Sequence, residues 1–413
     1  MQTPVAQDVP ETELTKEIEA LKTAVCAEVD RLTPELLHAS HEIHAHPELN
    51  FQEHFAHDLL ADLLDHEGLS TQRHAYDVDT AFEARTGEVG YDVAVLCEYD
   101  ALPGIGHACG HNIIATAGMG AGLAAASVAA QAGGRLRIMG TPAEEGGGGK
   151  ISMARNGAFR GLDAAMMVHP ADADLIRMDA IALQSLDVQF HGKAAHAAAA
   201  PHEGRNALDA AVLGYINVAA LRQHIMPTER VHGIFTRGGD KANIVPAETE
   251  MNWIVRSPTI ASLQPLKERV LACLRAGASA CGCGMSAAWK DVTYADMLDN
   301  GPMVASYVSN AARIGRTVAD PRTLGRHVVG STDMGNVSYL VPSIHPMIQV
   351  APAGVAIHTV DFARWALSDD GDRAVVDGAK AMAMTVIDLW CQTGLMQSVH
   401  RAFAERPMDV EVL

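Results

Sequence analysis

Apolar residues recur at helical spacing from Leu14 through Ile18, Leu21, Val25, Val29 and Leu32, with Glu and Lys on the other side. This spacing predicts an N-terminal helix over 12–40, its last part a segment opened by Pro34 and running through Leu36 and Leu37. The pattern then shortens. DVAVLCEYD (92–100), RLRIMGTPAEE (135–145) and DAAMMVHP (163–170) are apolar runs of strand type, with a long Ala/Gly-rich helix over 112–131 between the first two. Strands alternating with helices imply a mostly parallel sheet flanked by helices, an α/β fold that binds ligands just beyond the carboxyl ends of its strands. Each of these runs ends in acidic or metal-binding residue types.

Past 184 the pattern changes. A strand (Leu186–Phe190), a helix (Arg205–Arg222), two strands (Arg230–Thr236, Glu248–Val255), a helix (Ala261–Ala276) and a strand (Met285–Thr293) make a βαββαβ unit of ferredoxin-like type. A helix over 302–316 and a final long one over 370–390 follow. The expected organisation is a catalytic domain in two parts, 12–183 and 296–413, split by an inserted domain over 184–295. No internal repeat, low-complexity linker or heptad pattern interrupts it.

Composition narrows the function. With 413 residues, 48% of them hydrophobic, the chain can bury the cores of two domains. A net charge of -19 disfavours nucleic acid and anionic membranes, both of which need a basic face, and leaves a small molecule as the expected partner. The first twenty residues lack a basic and apolar leader pattern, and no later stretch is read as eighteen uncharged apolar residues, so the cytoplasm is the expected location. Seven scattered cysteines do not form the even framework of a secreted disulfide scaffold.

Candidate chemistry concentrates in GHACGHN (His107, Cys109, His111), TPAEEGGGG (Glu144, Glu145), MMVHP (His169) and GVAIHT (His358). Thiolate, imidazole and carboxylate are ligands for zinc and its neighbours in the first transition row. Cys109 and His111 point the same way if the backbone between them is extended. Adjacent Glu144 and Glu145 diverge on an extended segment, so one can coordinate a cation while the other serves as general base. The spacing does not decide which does which. GGGGK at 146–150 lacks the spacing and hydroxyl residue of a phosphate-binding loop and reads as a flexible loop beside the glutamates. Cys273, Cys281 and Cys283 lack a fourth partner for a structural zinc, and Asp333 reads as a helix N-cap.

The strings HEIHAHPELNFQE, CEYDALPGIGHACGHN, GTPAEEGGGGK, FHGKAAHAAAAPHEGRNALDA, KANIVPAETE and STDMGNVSYLVPSIHP resemble the aminoacylase and carboxypeptidase metallopeptidase family from about residue 38 to 360. They are most similar to its amidohydrolase branch, which holds hippurate hydrolase, indole-acetyl-amino-acid hydrolases, p-aminobenzoyl-glutamate hydrolase and aminoacylase-like dipeptidases. The last string points toward the last two.

The resemblance implies a zinc-peptidase-like catalytic domain with an inserted lid and dimerisation domain, and a homodimer formed through that insert. It further implies that Cys109, His111, Glu145, His169 and His358 hold two divalent metal ions (zinc or manganese, with cobalt as a third choice), and that Glu144 is the base acting on a bridging water. His196 would stabilise the oxyanion, from its own or a neighbouring subunit, and Asn243 would hydrogen-bond the substrate near its carboxylate. Arg256, by its own chemistry, is a candidate to pair with that carboxylate through a bidentate fork. Glu98 and Asp100 stand where carboxypeptidase-type members have His-x-Asp, which leaves Glu98 unlike a ligand and Asp100 as the group that orients a ligand imidazole. Asn112 stands where many relatives carry Asp. The expected reaction is hydrolysis of an amide in an N-acyl amino acid, a dipeptide or p-aminobenzoyl-glutamate. The alternatives are a cysteine-nucleophile amidase using Cys97 or Cys109, and a non-catalytic metal-binding protein on the same scaffold.

Overall fold

The computed structural model describes residues 11–324, 329–407 and 412–413. They form two compact units, one built from 11–178, 298–324 and 336–407, the other from 179–297, 329–335 and 412–413.

The first unit is organised by two long helices and a sheet. Helix α1 (Glu11–Ala45) is continuous through Pro34 and runs five residues past the expected end at 40. Its buried stripe runs from Ile18 to Val29 and on through Leu32, Leu36, Ala39 and Ile43, so core packing on both sides of the proline carries the helix across it. Helix α2 (His54–His66) and the strands β1 (Thr71–Arg73) and β2 (Phe82–Thr86) follow, none of them foreseen in the sequence. Then come β3 (Asp92–Cys97), α3 (His111–Ala132), β4 (Arg135–Gly140) and β5 (Ala164–Met166).

The six-stranded sheet has the order β1-β2-β4-β3-β5, with the short strand Ser343–Ile344 at the far edge. Strand β3 pairs in parallel with both β4 and β5, and β5 pairs in parallel with the edge strand, while β2 is antiparallel to both β1 and β4. All six residues of β3 are buried, as a central strand covered on both faces requires.

Helix α3 packs against α1, the helix Asp369–Cys391 and the strands β3 and β4. It has no charged residue between Ile113 and Ala132, which corrects the sequence expectation that no such stretch exists. Its apolar window is 83% buried within the protein, so burial on nearly every side accounts for the composition. Small residues are what allow the close approach. A Cβ at Gly118 would lie 2.7 Å from the Leu96 carbonyl oxygen and 2.8 Å from Cys97 Sγ, and one at Gly120 would lie 2.6 Å from Leu36 Cδ1.

The second unit is a four-stranded antiparallel sheet in the order Gly284–Tyr294, Ala182–His191, Glu248–Ser257, Arg230–Arg237. The helices Ala207–Leu221 and Ile260–Ala280 pack on it. Buried residues alternate with half-buried or exposed ones along Ala182–His191, the period of a strand covered on one face. Both helices start on side-chain caps. Asn206 accepts from the N–H groups of Leu208 and Asp209 at 2.9 and 3.2 Å, and Thr259 forms a reciprocal capping box with Ser262.

The contact of α3 with β3 yields a stability test. Gly118→Ala, which in an exposed helix would stabilise by about 1 kcal/mol, is expected here to lower stability by about 1–3 kcal/mol in urea denaturation, because the added methyl must displace strand backbone. A rise in stability would show that the helix and strand are not in this contact.

Candidate metal centre

The site of the first unit starts where β3 ends. Glu98, Tyr99 and Asp100 continue from Cys97 and are buried, and a turn brings the chain to Cys109. Gly110, with φ +78°, lies just ahead of α3. A Cβ at Gly110 would sit 2.9 Å from the Pro170 ring, so glycine is needed for both the turn and the contact. The expected extended link between Cys109 and His111 is therefore absent: a left-handed turn directs both side chains, and His111 is the first residue of the helix.

Asp100 ties two parts of the site together. Its Oδ1 lies 3.0 Å from His111 Nδ1 and its Oδ2 accepts the Glu145 N–H at 2.9 Å. With Nδ1–H committed to the carboxylate, the lone pair of His111 is on Nε2. His169 is arranged in the same sense, its Nδ1 lying 2.8 Å from the Pro170 carbonyl oxygen and its Nε2 3.5 Å from Cys109 Sγ. It opens the short strand His169–Ala171, which pairs in parallel with Met347–Gln349. His358 has φ +63° and donates its N–H to the Ala108 oxygen at 2.8 Å, which brings its Nε2 to 3.5 Å from Glu145 Oε2.

Three overlapping clusters of donor atoms result, each with its members within 4.8 Å of one another: Cys109, His111 and His169; Cys109, Glu145 and His358; Glu98, His111 and Glu144. Buried His111 Nε2 and Glu145 Oε1 find no hydrogen-bond partner among the described residues and face each other at 3.8 Å. Buried polar atoms left in this state are what a cation would satisfy. The residues present thus fit a metal centre.

Burial and neighbouring charge shift the donors in different directions. Burial opposes charge on His111, yet Asp100 and Cys109 hold its pKa well above the usual range, where a bound ion would take the proton's place. Burial, then the charge of His111, lowers His169 to about 4. Burial works against the Glu145 carboxylate, but His358 and His111 keep its pKa below the ordinary value.

Glu144 and Glu145 lie in a turn after Ala143 (φ +59°), not on the extended segment expected, so the turn is what separates their side chains. GGGGK is likewise no flexible loop throughout. Gly149–Arg155 is a helix, and Lys150 is fully buried in an ion pair with Glu98. Sequence reasoning missed Lys150, and it missed His345, whose buried ring packs edge-on to His169 with centroids 5.4 Å apart. The basic residue directly after four glycines was the available signal for the first; the second lay in the string ending SIHP. Asn112 donates to Ser40 Oγ at 2.9 Å and to the Ala366 oxygen at 3.1 Å.

The second unit carries His196, Asn243 and Arg256. Exposed His196 forms a bridge with Ile244, and the Asn243 carbonyl accepts the N–H of Ala197 at 3.1 Å. The N–H groups of Ala198 and Ala199 donate to His196 Nδ1 at 3.3 and 3.1 Å, which leaves the neutral ring's proton on Nε2. Asn243 is exposed, and half-buried Arg256 reaches Ser331 Oγ at 3.4 Å. Cys273, Cys281 and Cys283 are all free thiols.

The peptidase dimerisation domain of the M20 family matches residues 182–280. The Xaa-Arg dipeptidase of Mus musculus is 38% identical over 98% of this chain and 97% of its own length. The chain belongs to the M20 peptidase family. It is a hydrolase of that family. One of the p-aminobenzoyl-glutamate hydrolase polypeptides of Escherichia coli (strain K12) is 28% identical over 87% of this chain and 90% of its own. A dinuclear metal binding peptidase from the M20 family of Bacillus subtilis shares the fold, with a TM-score of 0.67 at 18% identity over 87% of this chain and 99% of that one.

In this M20 chain, Asp100 is placed to set both the tautomer of His111 and the position of Glu145. Asp100→Asn is expected to weaken divalent-ion affinity by about 10–100-fold, read by competition with a chromophoric chelator. An unchanged affinity would mean that neither contact matters to the centre.

Proposed function

We propose that the protein is a binuclear metal-dependent amidohydrolase of the cytoplasm that cleaves the amide bond of a small, carboxylate-bearing substrate. The observation that carries this reading is the set of overlapping donor clusters that share Cys109 and His111 and include both glutamates. Two divalent ions held by Cys109, His111, Glu145, His169 and His358 would polarise the scissile carbonyl and acidify a water. Zinc suits the thiolate, and manganese or cobalt suits the imidazole and carboxylate donors equally.

Glu144 is the base. It takes a proton from the attacking water and returns it to the leaving amine, so that the carbonyl carbon gains an oxygen as the C–N bond breaks. His196 supplies an Nε2–H donor to the oxyanion, a group whose charge develops only in the transition state. Asn243 and the guanidinium of Arg256 bind the substrate carboxylate, Arg256 through a bidentate fork. The insert serves as lid and as the dimer contact.

Among substrates, a dipeptide comes first, because the mammalian dipeptidase is similar over nearly the whole chain. p-Aminobenzoyl-glutamate and N-acyl amino acids follow. A cysteine nucleophile is disfavoured, since burial pushes the thiols of Cys97 and Cys109 far up, against the low pKa that a nucleophilic thiolate needs.

The test is hydrolysis of a panel of dipeptides, acylated amino acids and aminobenzoyl-glutamate, with metal analysis of the purified protein. Two ions per chain are expected, with turnover lost on chelation and restored by added metal. Glu144→Gln should retain its metal and lose about 100-fold or more in kcat. Turnover that survives chelation and stops on thiol alkylation would replace this reading with the cysteine mechanism.

A further inference from the structure

One buried carboxylate beside the centre has no part in that chemistry. Glu53 immediately precedes α2, yet its side chain makes no capping bond to that helix. The capping is done by Glu48, whose two carboxylate oxygens accept the N–H groups of Phe55 and Ala56 at 3.0 and 3.1 Å. Glu53 is thereby released to turn inward, where it is fully buried.

Its Oε1 accepts two backbone N–H groups, that of Phe51 at 3.0 Å and that of Ala143 at 2.9 Å. Its Oε2 accepts the Thr80 hydroxyl at 2.8 Å, and the Thr80 carbonyl in turn accepts the Tyr99 hydroxyl at 2.5 Å. Both residues gripped by Oε1 have left-handed backbone, Phe51 at φ +60° and Ala143 at φ +59°. Neither is a glycine, so each conformation needs an external hold. The two turns also interlock, since a Cβ at Gly147 would lie 2.5 Å from the Phe51 ring and 2.7 Å from Ala143 Cβ. The residues directly after Ala143 are Glu144 and Glu145.

We infer that Glu53 is a positioning residue for the catalytic turn: its carboxylate fixes Ala143 in the left-handed conformation from which Glu144 and Glu145 are presented to the metal centre. This rests on the functional reading above. Burial, with the charge of Asp100 nearby, pushes the Glu53 carboxyl up to about 7, so an ionisable group is kept in the interior against its own desolvation. A glutamate needed only to begin α2 would have remained at the surface with its helix.

Glu53→Ala and Glu53→Gln test the inference. The alanine variant frees the Ala143 N–H and is expected to lose about 10–100-fold in divalent-ion affinity, by chelator competition, as Glu145 loses its position. Its kcat should fall by about 100-fold, with KM held within about threefold. Glu53→Gln keeps an acceptor oxygen in the same place and should restore both to within about fivefold of the parent. Because ion affinity is read without substrate, a parent protein that hydrolyses nothing would overturn the functional reading while the affinity series still decided the role of Glu53. Should Glu53→Ala not fold, Glu53→Asp, which keeps the charge but falls a methylene short, carries the same expectation. A folded Ala or Asp variant with parental ion affinity and kcat, or a Gln variant no better than Ala, would overturn the inference.

Discussion

The two bonds of Asp100 are the constraint on which the centre depends. One carboxylate, placed directly beyond a fully buried central strand, fixes an imidazole at the start of α3 and a backbone amide in the turn after β4. These two segments lie beyond the ends of different strands, with α3 and β4 between them along the chain. Because β3 and β4 lie side by side in parallel, their carboxyl ends emerge together, and a single side chain can span the gap. The position of the donors is thus inherited from the sheet, and their orientation from Asp100.

Two of the buried acidic groups of the centre are steadied by basic neighbours. Glu98 is held by Lys150, deep in the protein, and His111 by Asp100. In each of these pairs an acidic group faces a basic one. The more apolar partner of the site is α3, whose Gly118 lets the helix close on the carboxyl end of β3. Placement by packing and orientation by hydrogen bonds are therefore separate tasks assigned to separate residue types, which is how a rigid site is built on a compact scaffold.

Much of this is legible in the chain. The alternation of strand and helix, the ferredoxin-like pattern of the second unit and the donor-rich strings at strand ends all follow from local periodicity and residue type, which sequence records directly. Backbone conformation at single residues does not. Nothing in the letters of Ala143, Phe51 or His358 announces a left-handed φ, since each is imposed by partners far along the chain. The same holds for Lys150, whose surroundings decide that a basic residue after four glycines turns inward. Helix α2 is short and its buried stripe, Ala56, His57, Leu60, Ala61 and Leu64, includes a histidine, so it escapes notice. Pro34 does not stop the helix read over 12–40, since local propensity yields to a long packed stripe.

Asn112 shows what the departure from an aspartate entails. Its amide nitrogen donates both to Ser40, on α1, and to the Ala366 carbonyl, just past the short helix Val360–Trp365. A carboxylate has no proton to offer and would confront that carbonyl with like charge. The N-terminal helix, none of whose described residues belongs to the donor clusters, is in this way sewn to the segment that follows His358. Any proteolytic cut that let α1 peel away would strand a buried amide one residue from His111, so the integrity of the donor cluster extends to a helix outside it.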